Sequence, residues 1–338
     1  MTLHQIYHGD CLEIMKQMEK DSIHLVVTSP PYYNAREYST YKTYQDYLNF
    51  MDEVIGCLPR LLVEGGYFCL NTTSYTEKKV MYPIPFDLLN ICTKHGFTLM
   101  WDVIWLKPKY TQALWRSSDY NYKKPYPYSL YLNCFHEYLW ICRLGEQNRD
   151  INEEALEASR IVGNTIEIKG KLKDEKILRY SYREWEFEVA KPSKEKHSAA
   201  YPIELPSYCI ELFSLKNDTI LDPFLGTGTT SKAAMLLARN SVGIEANKQY
   251  FELIQKKLVP DHKNMYQYYS QQEIDNMGLK EHLVEFKNAE FITPSKYKVY
   301  LKEELPTKVK NARNTKIKQE VAEEKKIQSS IDAFSKEE

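Results

Sequence analysis

A hydroxyl, two rigid prolines and an aromatic ring in succession form a turn able to grip a flat polar group. Thr28-Ser29-Pro30-Pro31-Tyr32 has this composition. It follows the apolar run Ile23 to Val27, which reads as a buried strand, so the turn sits at a strand end. Pro30 and Pro31 fix φ and carry no N–H, leaving a stiff turn whose carbonyl is free to aim. Far along the chain stands a second segment, Asp222-Pro223-Phe224-Leu225-Gly226-Thr227-Gly228-Thr229-Thr230. It lies between the apolar run Thr219 to Leu221 and the helix-like run Ser231 to Leu237. Two glycines at a strand-to-helix turn let backbone approach a ligand closely. One turn that cradles a cofactor and one that holds a polar group together point to group-transfer chemistry.

Positioning those turns requires a layered scaffold, and the hydrophobic pattern supplies one. Tyr44 to Leu62 carries apolar residues at helical spacing and is expected to stop at Gly65-Gly66. Tyr67 to Leu70 reads as a strand, Ile84 to Cys92 as a helix, and Phe97 to Trp105 and Tyr138 to Cys142 as strands. The second block repeats the scheme: helix Pro206 to Phe213, strand Thr219 to Leu221, helix Thr229 to Leu237, strand Ser241 to Ile244, helix Tyr250 to Leu258. Such alternation predicts an α/β fold with a doubly wound, mostly parallel sheet and ligands bound outside the carboxyl ends of its strands.

The chain of 338 residues is 43% hydrophobic, enough for a large core, and its 45 Lys and Arg nearly balance 46 Asp and Glu for a net charge of -1. Any polyanion must therefore be met by local positive charge. The seven cysteines are scattered, without Cys-x-x-Cys or His spacing, so reduced buried thiols are expected and no metal. No signal peptide is recognisable and no apolar run approaches the ~20 residues of a membrane span, so a soluble, cytoplasmic protein is expected.

The two motifs, with Gly243-Ile244-Glu245 ending the next strand, resemble the AdoMet-dependent DNA amino-methyltransferases. That family pairs (Asp/Ser/Asn)-Pro-Pro-(Tyr/Phe) with Asp-Pro-Phe-x-Gly-x-Gly-Thr. The catalytic motif comes first here, the order of the circularly permuted beta group, and the match runs from about Ile6 to Leu258. The resemblance implies a Rossmann-like fold and S-adenosyl-L-methionine as methyl donor. It also implies four regions: a catalytic half over 1–144, a target-recognition insertion over 145–197, a cofactor-binding half over 198–260 and a charged extension over 261–338.

An exocyclic base amine is a weak nucleophile because its lone pair is delocalised into the ring, so the enzyme's task is to orient and repolarise it. Ser29 and the Pro30 carbonyl can accept its two hydrogens, Tyr32 can stack an extruded base, and Pro31 completes the turn. Tyr33 and Asn34 lie beside this pocket. For the cofactor, Asp222 is expected near the methionine part, Phe224 in the loop, and Gly226 and Gly228 at close backbone contacts. Thr229 is a candidate cap for the helix that follows, and Glu245 a candidate acceptor for both ribose hydroxyls. By resemblance Asp10 and Cys11 lie near the adenine, and Leu205 and Ser207 flank the amino-acid end. Alternatively, Pro206 and Ser207 simply begin a helix.

For double-stranded DNA, the stretch from Lys107 to Arg143 carries six basic residues against two acidic ones, with tyrosines interleaved. Lys107, Arg116, Lys123 and Lys124 are its candidate contacts. Serine at position 29 usually accompanies cytosine in this family, giving N4-methylcytosine; N6-adenine is the alternative, and an AdoMet-binding specificity subunit without catalysis a third. A cognate restriction endonuclease is an expected partner. In the charged tail, Gln328, Ile331 and Phe334 are spaced like peptides that dock on sliding clamps, although a chance amphipathic end explains them as well.

Overall fold

The computed structural model describes residues 2–34, 40–77, 80–108, 135–151, 153–163, 165–168, 171–188, 201–258 and 264–269. The chain begins with β1 (Thr2–His8), α1 (Cys11–Gln17), β2 (Ile23–Thr28), α2 (Tyr44–Leu61) and β3 (Leu62–Thr72). A small hairpin, β4 (Tyr75–Glu77) and β5 (Val80–Tyr82), leads to α3 (Ile84–Lys94), β6 (Phe97–Leu106) and β7 (His136–Leu144). Then come α4 (Glu153–Ala158), the hairpin β8 (Thr165–Ile168) and β9 (Lys171–Asp174), α5 (Glu175–Tyr180) and β10 (Glu184–Glu186). The last block is α6 (Glu204–Phe213), β11 (Thr219–Asp222), α7 (Thr229–Leu236), β12 (Asn240–Glu245), α8 (Lys248–Lys257) and β13 (Asn264–Tyr269).

One sheet of nine strands runs in the order β10-β6-β7-β3-β2-β11-β12-β1-β13. Its pairings are parallel except those of β7 with β3 and with β6. Strand alternation explains the layers on its two sides. Val26 and Leu221 point into the cluster covered by α1, α2 and α3, whereas Leu25, Val27 and Ile220 point into the cluster under α6 and α7. Strands buried on both faces read as continuous apolar runs, which is why β2 and β11 are legible in the sequence.

Helix α2 shows how sequence specifies an element here. Thr43 and Asp46 form a reciprocal capping box at its start, and Tyr47, Met51, Val54, Ile55 and Leu58 recur at helical period on its buried face. Its end differs from expectation: the helix stops at Leu61, and Gly65-Gly66 lie inside β3. Gly65 has φ +73, and a Cβ there would stand 2.4 Å from the backbone nitrogen of Arg149, so the glycine serves close chain approach and not helix termination.

β1 escapes the pattern. β1 buries Thr2, His4 and Gln5 among its apolar residues, and His4 Nδ1 lies 2.8 Å from Ser241 Oγ on β12. Polar residues satisfied inside a sheet disguise a strand that periodicity would otherwise reveal. The expected insertion over 145–197 is also tied to the main sheet. Its β10 pairs with β6 with Trp185 buried, and Arg149 makes a bidentate ion pair with the buried Asp218 at 2.6 and 2.8 Å. No helix among the described residues is long and apolar enough to cross a membrane.

Candidate active site

The two turns noted first are neighbours because β2 and β11 are paired, Leu25 opposite Ile220 and Val26 opposite Leu221. Their carboxyl ends open on one cavity of about 420 Å³, the scale of a small-molecule site. Ser29, Pro30, Pro31 and Tyr32 after β2 line it, as do Phe224, Gly226 and Thr229 after β11, Glu245 at the end of β12 and Asp10 and Cys11 after β1. Thr28, the residue before the serine, donates to Asp222 Oδ1 at 2.6 Å, so the strand ends are tied together beneath the cavity.

The glycine loop is built from its backbone outward. Gly226 and Gly228 have φ of +58 and +85, where a side chain costs about 1–2 kcal/mol. Leu225 N–H donates to the Ile244 carbonyl, and Gly226 N–H donates to Glu245 Oε2 at 2.7 Å. Glu245 Oε1 accepts from Asn247 N–H at 2.7 Å. Burial raises this carboxyl to about 7, against the pull of those two donors. Each oxygen keeps a second lone pair beside the cavity, the pattern two ribose hydroxyls require. Phe224, Cys11, Ile244 and Tyr250 give that region apolar and aromatic walls. Burial also pushes the Cys11 thiol up to about 12, which disfavours the thiolate. An adenosine with a charged amino-acid tail therefore fits the residues present.

Asp222 stands beneath the loop and not on the cavity wall. Its carboxylate is fully buried and accepts from Thr28, Tyr201, Thr230 and the Phe224 N–H, and it does not line the cavity. Desolvation raises its carboxyl, and it holds the loop in place from below. Thr229 does not cap α7. Gly228 occupies the cap position, and Thr229 is the first helical residue, on the cavity wall. Gly228 itself lies behind the wall, close to Ile254 and Leu258.

Leu205 and Ser207 are likewise displaced from expectation. α6 starts at Glu204, Leu205 is buried in the core, and neither residue lines the cavity. Tyr201, just upstream, lines it instead. Tyr33 packs among Tyr44, Tyr47 and Tyr82. Asn34, at φ +44, exchanges two hydrogen bonds with the backbone of Tyr41. Both support the turn without entering the pocket.

Lys107, a candidate DNA contact, is held within the protein by an ion pair. Its ammonium lies 2.5 Å from Oε1 of buried Glu137 and over the Trp105 ring. Arg116, Lys123 and Lys124, and the tail residues Gln328, Ile331 and Phe334, fall outside the described residues. Glu137 itself was not anticipated: its Oε2 accepts from the Tyr32 hydroxyl at 3.2 Å, and that hydroxyl lies 3.3 Å from Ser29 Oγ.

Comparison with known proteins places this geometry. A family model described as DNA methylase, covering the N6 and N4 amino-methyltransferases, matches residues 23–256, and the chain belongs to that family. The Type II methyltransferase M.MjaI of Methanocaldococcus jannaschii is 30% identical over 293 residues, 76% of this chain and 91% of its own. M.ScaI of Streptomyces caespitosus is 26% identical over 270 residues, covering 77% and 83%. Among solved structures, the protein TTHA0409 of Thermus thermophilus in complex with S-adenosyl-L-methionine superposes with a TM-score of 0.61 at 26% identity, over 78% of this chain and 97% of that one. The protein is a DNA methyltransferase of Rossmann-like α/β fold, and its cofactor is S-adenosyl-L-methionine.

Proposed function

We propose that this enzyme methylates the N4 amine of a cytosine flipped out of double-stranded DNA, as the modification partner of a cognate restriction endonuclease. The observation that carries the reading is the shared cavity, lined by Ser29 and the Pro30-Pro31-Tyr32 turn and by Glu245 with the glycine loop. When bound, the cofactor supplies a methyl group on a sulfonium, which passes to the amine nitrogen as the carbon–sulfur bond breaks and an amine proton is lost to water.

The chain's own residues do the positioning. Glu245 accepts the ribose hydroxyls, and the backbone of Gly226, Thr227 and Thr229 sets the depth of the cofactor. Ser29 Oγ and the Pro30 carbonyl accept the two amine hydrogens, drawing the nitrogen toward a tetrahedral shape with a localised lone pair. A base inside a duplex cannot reach the cavity, so flipping is required, and the Tyr32 ring is the stacking surface. Cytosine is favoured by the serine at position 29, by analogy with the family. The restriction partner is inferred from the Type II names of the relatives.

Nucleoside mass spectrometry of DNA from cells expressing the chain tests the base. N4-methylcytosine is the expected product, and N6-methyladenine in its place would overturn the cytosine assignment. Ser29→Ala should slow methyl incorporation by roughly a hundredfold, as removal of a positioned transition-state contact does, while cofactor affinity measured by calorimetry stays intact.

A further inference from the structure

A neutral serine has a difficulty that an aspartate at the same place lacks: its hydroxyl can donate as well as accept. If its hydrogen points at the target amine, the contact repels. The residues around Ser29 bias that choice. Lys107 carries only donors and lies against Glu137 Oε1; Glu137, as a carboxylate, only accepts. The single hydrogen of the Tyr32 hydroxyl goes to Glu137 Oε2 at 3.2 Å. Toward Ser29 Oγ, 3.3 Å away, the Tyr32 oxygen can then only accept, so the Ser29 hydrogen is drawn to it.

We propose that Lys107, Glu137 and Tyr32 form a polarity chain that commits the Ser29 hydrogen inward and presents its lone pairs outward to the substrate amine. Glu137 and Lys107 are positioning residues acting through Tyr32. The topology builds the chain. Because β7 runs antiparallel to its neighbours, its start lies beside the carboxyl ends of β3 and β6, with Glu137 opposite Trp105 and Tyr138 opposite Thr72. Glu137 is consequently buried next to the catalytic turn. A buried carboxylate with one ammonium partner and one phenol is costly to maintain for packing alone.

The inference rests on the proposed role of Ser29 and is independent of which base is methylated. Single-turnover incorporation of labelled methyl into unmethylated genomic duplex DNA is measured for Glu137→Gln, Tyr32→Phe, their double variant and Ser29→Ala, with cofactor affinity by calorimetry. Glu137→Gln and Tyr32→Phe should each slow transfer on the order of tenfold, the worth of one hydrogen bond. The double variant should be no slower than the slower single, because both break one chain. Cofactor affinity should stay unchanged.

Losses that multiply in the double variant, or a Glu137→Gln enzyme of full rate, would overturn the proposal. So would a fall in cofactor affinity in step with rate, which marks a merely structural role. Should Glu137→Gln not fold, Tyr32→Phe alone decides, since a full-rate Tyr32→Phe enzyme removes the link to Ser29. If Ser29→Ala transfers at full rate, the reading of Ser29 as acceptor is what fails. If Ser29→Ala is slow and the other variants are not, only the chain fails.

Discussion

Glu245 shows how one residue's environment sets both a cost and a use. Its carboxyl, ordinarily near 4.5, is raised to about 7 because burial disfavours its charge more than the Gly226 and Asn247 N–H groups favour it. The folded protein thus holds this proton more tightly than the unfolded chain. The stability Glu245 contributes is full below pH 4.5 and is lost as pH rises through about 7. On the role proposed for Glu245, cofactor binding runs the other way, since the ionised form can accept two hydroxyls and the protonated form offers fewer acceptors. AdoMet affinity should be roughly tenfold weaker at about pH 6 than at about pH 8, following the ionised fraction. Calorimetry across that range checks this, and Glu245→Gln should flatten the profile. The acid was legible because it closes a strand after the glycine loop. The raised carboxyl was not, because burial is a property of the assembled site.

At the scale of the element, the loop between β11 and α7 depends on backbone conformations that ordinary residues resist. Gly228, at φ +85, caps α7 with no side chain, and a Cβ would sit 3.2 Å from Leu258 Cδ1. Gly228→Ala should lower stability by roughly 1–2 kcal/mol from left-handed strain alone, read as a shift in the denaturant midpoint. Cofactor affinity should fall with it, because Thr229 and Gly226 move with the loop. The need for glycine there was visible in the spacing of the motif. The assignment of Thr229 as cap was wrong for a local reason: the left-handed glycine ends the turn one residue earlier, so the threonine enters the helix. α6 begins two residues before the proline and turns Leu205 into the core, so neither Leu205 nor Ser207 lines the cavity.

Across the whole molecule, the clasp between Arg149 and Asp218 joins the segment after β7 to the edge of β11, at the end of the sheet away from the cavity. Asp218 is buried, also accepts from Leu215 N–H, and sits 3.6 Å from His24 Nε2. Arg149→Ala leaves that carboxylate without its main partner and should cost about 3 kcal/mol, seen in thermal or denaturant unfolding. The methyl-transfer rate of the folded enzyme should be spared, since the clasp touches neither turn. Neither partner stood out in the sequence, where each is one charge among many.

What the sequence determined by itself was the local chemistry: the rigid Ser29 turn, the glycine loop, Glu245 at a strand end, and the apolar runs that make β2 and β11 buried strands. These follow from steric limits and periodicity, which act between near neighbours along the chain. Only the tertiary structure decided that Asp222 braces the loop from beneath, that Lys107 pairs with Glu137, and that Glu137 reaches Tyr32. Each of those depends on strand order and direction, above all on the antiparallel course of β7. Such pairings join residues distant in sequence, and a carboxylate shows no sign of its partner until the sheet has brought the two together.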